Sequence, residues 1–236
     1  MNPIPFRTAA QVEAALAPTV AHLRAGGLIA YPTETVYGVG SRPLEADVVA
    51  LQRLKVRRPD KPFLLLVSDR DMAEAQGLGF SAAASALARA FWPGPLSLVL
   101  PGGSGRLPDL LRGPEGGIAV RWTSHRGMAQ LVQALGEPVT STSANLPGQP
   151  PAPGAAAIMR DFAAAVAAGT LLVLDGGVLG TPPPRPWLTA RNPSPGWCAK
   201  GRSRSPSCDA PRGGWRRNGA HENEADSPRL HRQHLP

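Results

Sequence analysis

Tyr31–Gly40 reads YPTETVYGVG, and this stretch places threonine hydroxyls and a carboxylate at the end of an apolar run. Gly26 and Gly27 precede it, and Leu28-Ile29-Ala30-Tyr31 has the continuous hydrophobicity of a strand buried on both faces. Pro32 has no N–H to give a ladder and forces extended backbone on Tyr31. From Thr33 to Tyr37 the residues favour β structure, so an extended chain would point Thr33, Thr35 and Tyr37 one way, and Glu34 and Val36 the other. Such a segment is either a strand with a polar mouth or one wall of a binding site.

Working outward, helical and strand-like patterns alternate. Helical periodicity is expected near Gln11–Arg24, Glu45–Lys55, Ser81–Phe91, Ser124–Leu135 and Ala155–Ala167, with Ser81 and Ser124 as N-caps. Between them lie the apolar runs Leu28–Tyr31, Phe63–Val67, Leu96–Leu100, Ile118–Trp122, Pro138–Thr142 and Leu171–Leu174. This is the pattern of an α/β domain, a twisted mixed sheet with flanking helices. Phe91-Trp92-Pro93-Gly94-Pro95 reads as a rigid corner with Trp92 filling core.

The chain has 236 residues, 42% of them hydrophobic, enough for one sizeable core, and a net charge of +8. That charge is unevenly spread. Residues 185–236 hold ten Lys and Arg against four Asp and Glu, leaving 15 against 13 before them, so the body is only +2. Both cysteines, Cys198 and Cys208, also fall in this basic, Pro/Arg/Ser-rich tail, which leaves the body without disulfide, thiol or cysteine–metal chemistry. The division expected is a globular domain over 1–184 and a disordered or out-of-frame tail over 185–236. The opening residues MNPIPFRTAA lack a signal pattern, and no apolar run approaches the ~20 residues of a membrane span, so a cytoplasmic protein is expected.

The genetic code gives the tail a second meaning. If Pro184–Arg191 is encoded CCT CGA CCG TGG TTG ACT GCA CGC, the frame one nucleotide earlier reads Ser-Thr-Val-Val-Asp-Cys-Thr. With permitted codons, the same frame opposite Cys198–Ser205 reads Val-Arg-Glu-Gly-Ala-Ile-Pro-Val. Strand-like alternation returns, and the expectation is out-of-frame translation of a C-terminal segment, through a genuine or erroneous frameshift.

Chemistry concentrates at three further places. Lys55, Arg57, Arg58 and Lys61 gather four cations where a helical pattern ends. Cations there can simply answer the helix dipole, or they can neutralise phosphates. Ser141-Thr142-Ser143-Ala144-Asn145 leaves a strand with three hydroxyls before its amide, at the end where open α/β sheets bind ligands. Those groups suit phosphate oxygens or hydrated Mg2+, and also ordinary turns. Arg121 ends the apolar run Ile118–Val120, which is costly unless an anion or a structural carboxylate answers it. GxxxxGK[ST], GxGxxG after a strand, HExxH and GxSxG are all missing. His22 and His125 are the body's only histidines and read as surface positions. Positioning and charge neutralisation are left as the means of catalysis.

Taken together, YPTETVYGVG, Lys55-Val56-Arg57 with Lys61, FWPGPLSLVL, IAVR and STSANLPG resemble, in order and spacing, the threonylcarbamoyl-AMP synthases, the YrdC-like proteins of tRNA threonylcarbamoyladenosine biosynthesis. The resemblance covers about residues 8–181 and implies a YrdC-like fold with an open, positive concave face. It implies formation of threonylcarbamoyl-AMP and pyrophosphate from L-threonine, bicarbonate and ATP, with Mg2+ and no protein-held metal. A partner threonylcarbamoyl-transferase complex then modifies tRNA. By resemblance, Thr33, Thr35, Arg121 and Ser141 belong to the threonine side, with Ser141 at the junction of the two substrates. Lys55, Arg57, Lys61, Ser143 and Asn145 face ATP, and Lys55, Arg57, Ser143 and Asn145 carry catalysis. Glu34 and Tyr37 are weaker candidates. After Gly180-Thr181-Pro182-Pro183 the chain departs from the family, which continues with the Ser-Thr-Val-Val-Asp and Arg-Glu-Gly-Ala-Ile segments recovered from the shifted frame. The alternatives are an RNA-binding module without catalysis, built on the basic tail, and a homologue working inside a larger carbamoyl-transfer enzyme.

Overall fold

The computed structural model describes residues 2–56, 61–179, 187–190 and 195–198, the last two segments as backbone alone. A mixed sheet forms the middle layer. Its strands are β1 (Ile4–Pro5), β2 (Leu28–Tyr31), β3 (Gly38–Gly40), β4 (Leu64–Val67), β5 (Ser97–Leu100), β6 (Ile118–Trp122), β7 (Val139–Ser143), β8 (Leu171–Asp175), β9 (Trp187–Ala190) and β10 (Pro195–Cys198). Their order across the sheet is β1-β8-β2-β3-β7-β4-β6-β5-β9-β10. The helices are α1 (Ala9–Arg24), α2 (Glu45–Leu54), α3 (Arg70–Ala75), α4 (Ala82–Phe91), α5 (Arg126–Leu135), α6 (Ala155–Asp161) and α7 (Ala163–Ala167).

The apolar runs are continuous because the central strands are buried on both faces. One set of alternate residues, Leu28, Ala30, Leu65, Val67, Ile118, Val120, Leu171 and Val173, packs with residues of α2, α4, α6 and α7. The other set, Ile29, Tyr31, Leu64, Leu66, Ala119, Leu172 and Leu174, packs with residues of α1 and α5. Trp92 fills core as expected, with its indole N–H donating to the Leu96 carbonyl at 2.8 Å.

Three local readings need correction, and β3 lies outside the expected apolar runs. β3 carries two glycines in three residues and has no apolar signature, yet pairs antiparallel with both β2 and β7. A side chain at position 40 would bring Cβ to 1.8 Å from the Thr140 carbonyl oxygen, so close approach requires glycine. The helix expected over Ala155–Ala167 breaks at Phe162, whose backbone leaves helical geometry while its ring enters the core. The N-cap of α5 is His125 rather than Ser124, with ring Nδ1 accepting the Met128 N–H at 3.2 Å. Neither body histidine is a free surface group: His125 stacks on Phe6, and His22 Nε2 lies 2.9 Å from the Leu28 carbonyl.

Candidate active site

The segment after β2 does not stay extended. Thr33 Oγ1 accepts the N–H groups of Thr35 and Val36, each at 3.2 Å, and donates to the Val36 carbonyl at 2.7 Å. A hydroxyl satisfying its own backbone outcompetes ladder pairing and bends the chain. The alternation expected over 33–37 is therefore replaced by a bent loop. Thr35 lies one step behind Thr33, their hydroxyl oxygens 3.2 Å apart. Tyr37 closes the loop, donating to the Gly177 carbonyl at 2.7 Å and accepting the Gly176 N–H at 2.8 Å. Burial pushes its phenol pKa up, so Tyr37 stays a neutral strut.

This bend carries Glu34 over the sheet face that includes Leu64, Leu66 and Arg121. Arg121 is only 2% exposed. Its Nη1 donates to Glu34 Oε1 at 3.2 Å, while Nε and Nη2 both donate to Ser97 Oγ, at 3.0 and 2.7 Å. Thr123 Oγ1 donates to the other Glu34 oxygen at 2.6 Å and accepts the His125 N–H at 3.1 Å. A structural carboxylate thus does answer Arg121. Thr33, Glu34, Gly38, Arg121, Ser141 and Ser143 line one cleft of about 220 Å³. That is below the ~300–1,000 Å³ typical of drug-sized ligands and suits a small polar molecule.

A second cleft of about 240 Å³ adjoins it, lined by Lys55, Val56, Lys61, Ser143, Asn145 and Gly148. Ser143 lines both, whereas Ser141 lines the first. Lys55 is 5% exposed, so it is not a solvated helix end. Its Nζ donates to the carbonyl oxygens of Ser143, at 2.8 Å, and Asn145, and to Asn145 Oδ1 at 3.2 Å. Ser143 Oγ donates to Asn145 Oδ1 at 2.6 Å, and Asn145 Nδ2 donates to the Gln149 carbonyl at 2.5 Å. The amide is held in one orientation. Beside these residues Val56 has a φ of 44°, a left-handed conformation rare for a β-branched side chain. Arg57 lies outside the described residues.

Every described candidate residue except Thr35 and Tyr37 therefore lines one of two adjoining clefts, one holding a fixed guanidinium and one lined by two lysines, the Ser143 hydroxyl and the Asn145 amide. A sequence model described as "Sua5_yciO_yrdC: Telomere recombination" matches residues 21–184. The chain belongs to the Sua5/YciO/YrdC family. Among its curated relatives, the threonylcarbamoyl-AMP synthase of Chromohalobacter salexigens is 40% identical over 166 residues, 70% of this chain and 86% of that one. Among solved Sua5/YciO/YrdC structures, P. abyssi Sua5 complexed with L-threonine superposes with a TM-score of 0.73 at 28% identity, over 85% of this chain. Only 58% of that longer protein is spanned. E. coli YciO shares the fold, with a TM-score of 0.68 at 23% identity over 84% of this chain and 93% of its own.

Sequence reasoning missed Ser97 and Thr123 and named Glu34 only as a weaker candidate. Ser97 carried a readable signal only through its place in FWPGPLSLVL, as a hydroxyl inside an otherwise apolar strand. Among the described residues no helix is long and apolar enough to cross a membrane.

Proposed function

We propose that the protein is a threonylcarbamoyl-AMP synthase. The observation that carries this reading is the pair of clefts meeting at Ser143, because the reaction must join an amino acid to a nucleotide. The names of curated relatives and the L-threonine complex of P. abyssi Sua5 support it. In the reaction, the threonine amine and bicarbonate form a carbamate with loss of water. A carbamate oxygen then attacks the α-phosphate of ATP, the bond to the β-phosphate oxygen breaks, and pyrophosphate leaves.

No side-chain nucleophile is needed, so the protein's work is placement and charge neutralisation. Arg121 takes the threonine carboxylate, and Thr33 and Ser141 supply polar partners in the same cleft, with Thr35 supporting Thr33. Ser143 sits where carbamate and α-phosphate meet. Lys61 faces the polyphosphate, and by resemblance Arg57 has the same role. Lys55 acts chiefly by holding the Ser143–Asn145 turn, since its ammonium already donates to that turn.

The described residues contain no group of three His, Cys, Asp or Glu placed to hold a metal. The Ser143 hydroxyl gives its proton to Asn145 and keeps lone pairs for a donor, which fits a metal-bound water. Mg2+ would enter hydrated on the polyphosphate, with Ser143 touching its water shell, and would neutralise phosphate charge.

Threonylcarbamoyl-AMP is a mixed anhydride, so a transferase complex acting on tRNA adenosine must consume it, in the cytoplasm. Direct RNA contact by this chain would then serve delivery. The test is pyrophosphate release by the full chain. Release that requires both L-threonine and bicarbonate is expected, and release indifferent to either would defeat the reading.

A further inference from the structure

Ser97 is fully buried and lies directly across the β5–β6 ladder from Arg121, in the register that pairs Leu98 with Val120. A serine hydroxyl has two acceptor lone pairs. Here both face one guanidinium, which donates to it through Nε and Nη2. We propose that Ser97 is a positioning residue that determines affinity for the amino-acid substrate by fixing the plane of Arg121. The inference rests on the reading of Arg121 as the anchor for a substrate carboxylate.

The physical argument turns on which edge of the guanidinium faces the cleft. Arginine can grip through its Nε–Nη2 edge or its Nη1–Nη2 edge. Ser97 occupies the first, at the back of the site, and so turns Nη1 toward the cleft, where Glu34 meets it. Cross-strand neighbours on one face lie close enough for direct side-chain contact, so a short hydroxyl is sufficient. A longer side chain would fill the place of the guanidinium. Without the hydroxyl, Arg121 keeps its charge, but its Nε edge loses the acceptor that sets the plane of the guanidinium. The group is then held through the Glu34 contact at Nη1 and turns about it, so the carboxylate meets a misaligned fork.

A residue that only filled space would behave differently. Packing loss would lower stability and weaken both substrates together. Loss of alignment should weaken the carboxylate ligand and spare the nucleotide, whose cleft Ser97 does not line.

Threonine and valine at position 97 have almost the same shape and differ in the hydroxyl. The experiment compares Ser97→Thr and Ser97→Val in the full chain by calorimetric titration with L-threonine and, separately, with ATP. Ser97→Val is expected to weaken L-threonine about tenfold or more with ATP affinity unchanged, and Ser97→Thr to restore it. Equal L-threonine affinity in the two variants would overturn the inference, as would equal losses for both ligands in Ser97→Val. Where valine does not fold, Ser97→Ala removes the hydroxyl alone and is read in the same way. Arg121→Gln separates the two levels. If it leaves L-threonine affinity intact, the anchor reading falls and the inference with it. If it abolishes binding while Ser97→Val and Ser97→Ala do not weaken it, only the positioning role falls.

Discussion

Lys55 reaches from the end of α2 to the main-chain oxygens of Ser143 and Asn145, nearly ninety residues further along the chain. A cation that reads as a phosphate ligand is also the brace of the turn that carries Ser143 and Asn145. Its ammonium meets two carbonyls and the Asn145 side chain, in a position almost sealed from water.

Lys55→Ala should therefore cost stability as well as turnover. Buried carbonyls left without a donor cost about 1–3 kcal/mol, which urea unfolding would register as a lower midpoint at unchanged slope. Pyrophosphate release should fall below detection. Lys55→Arg should rescue little, because a planar fork does not reproduce a point donor shared by three oxygens. Wild-type stability in Lys55→Ala would show that the turn holds itself.

Glu34 and Arg121 form a partly buried ion pair at 3.2 Å. Glu34→Ala removes the carboxylate facing a buried guanidinium and should destabilise the free protein by about 3 kcal/mol. L-threonine brings a carboxylate of its own, so its stabilising effect in a thermal melt should be larger for the variant than for the wild type. A smaller effect would mean that Glu34 helps to hold the ligand.

His125 gives the protein a pH dependence of definite sign. Burial lowers its pKa below the ordinary 6.5, more than the nearby Glu34 charge raises it. The ring must also be neutral at Nδ1 to cap α5. The unfolded chain therefore binds the proton more readily. Stability from this group is full above pH 6.5 and falls as pH drops through 6.5 toward the depressed folded value. His125→Asn keeps a capping oxygen without a titrating ring, and should flatten unfolding free energy across that window relative to wild type.

Gly40→Ala tests the β3–β7 contact. The added Cβ would overlap the Thr140 carbonyl oxygen, a backbone atom that cannot turn aside. Expected is a loss of several kcal/mol or failure to fold, measured by circular dichroism and melting. A wild-type melt would show that the two strands can separate without penalty.

Those glycines also show where sequence reading reaches its limit. β2 is legible because four apolar residues stand between Gly26-Gly27 and Pro32, and each signal is local. β3 is not, because Gly40 answers to Thr140, a hundred residues away. Thr33, Arg121 and Ser143 could be singled out by residue type and place, since hydroxyls and charges at strand ends are unusual. Ser97 could not be assigned its partner. Pairing it with Arg121 needs the register between β5 and β6, which no pattern within either strand specifies. The same holds for the cap of α5, where Ser124 and His125 both precede the helix and tertiary packing against Phe6 accompanies the choice of the ring.

Tyr37 ties the bent loop after β2 to Gly176 and Gly177, and this has a genetic consequence. Every described side chain that shapes the two clefts is encoded upstream of the change in composition near Pro184. A change of reading frame there would leave codons 33–177, and the loop they latch, untouched. It would rewrite the strand that lies along the free edge of β5, whose pairing is made by backbone and is indifferent to which side chains arrive. Such a gene would keep every described residue that lines the two clefts while changing the message that follows them.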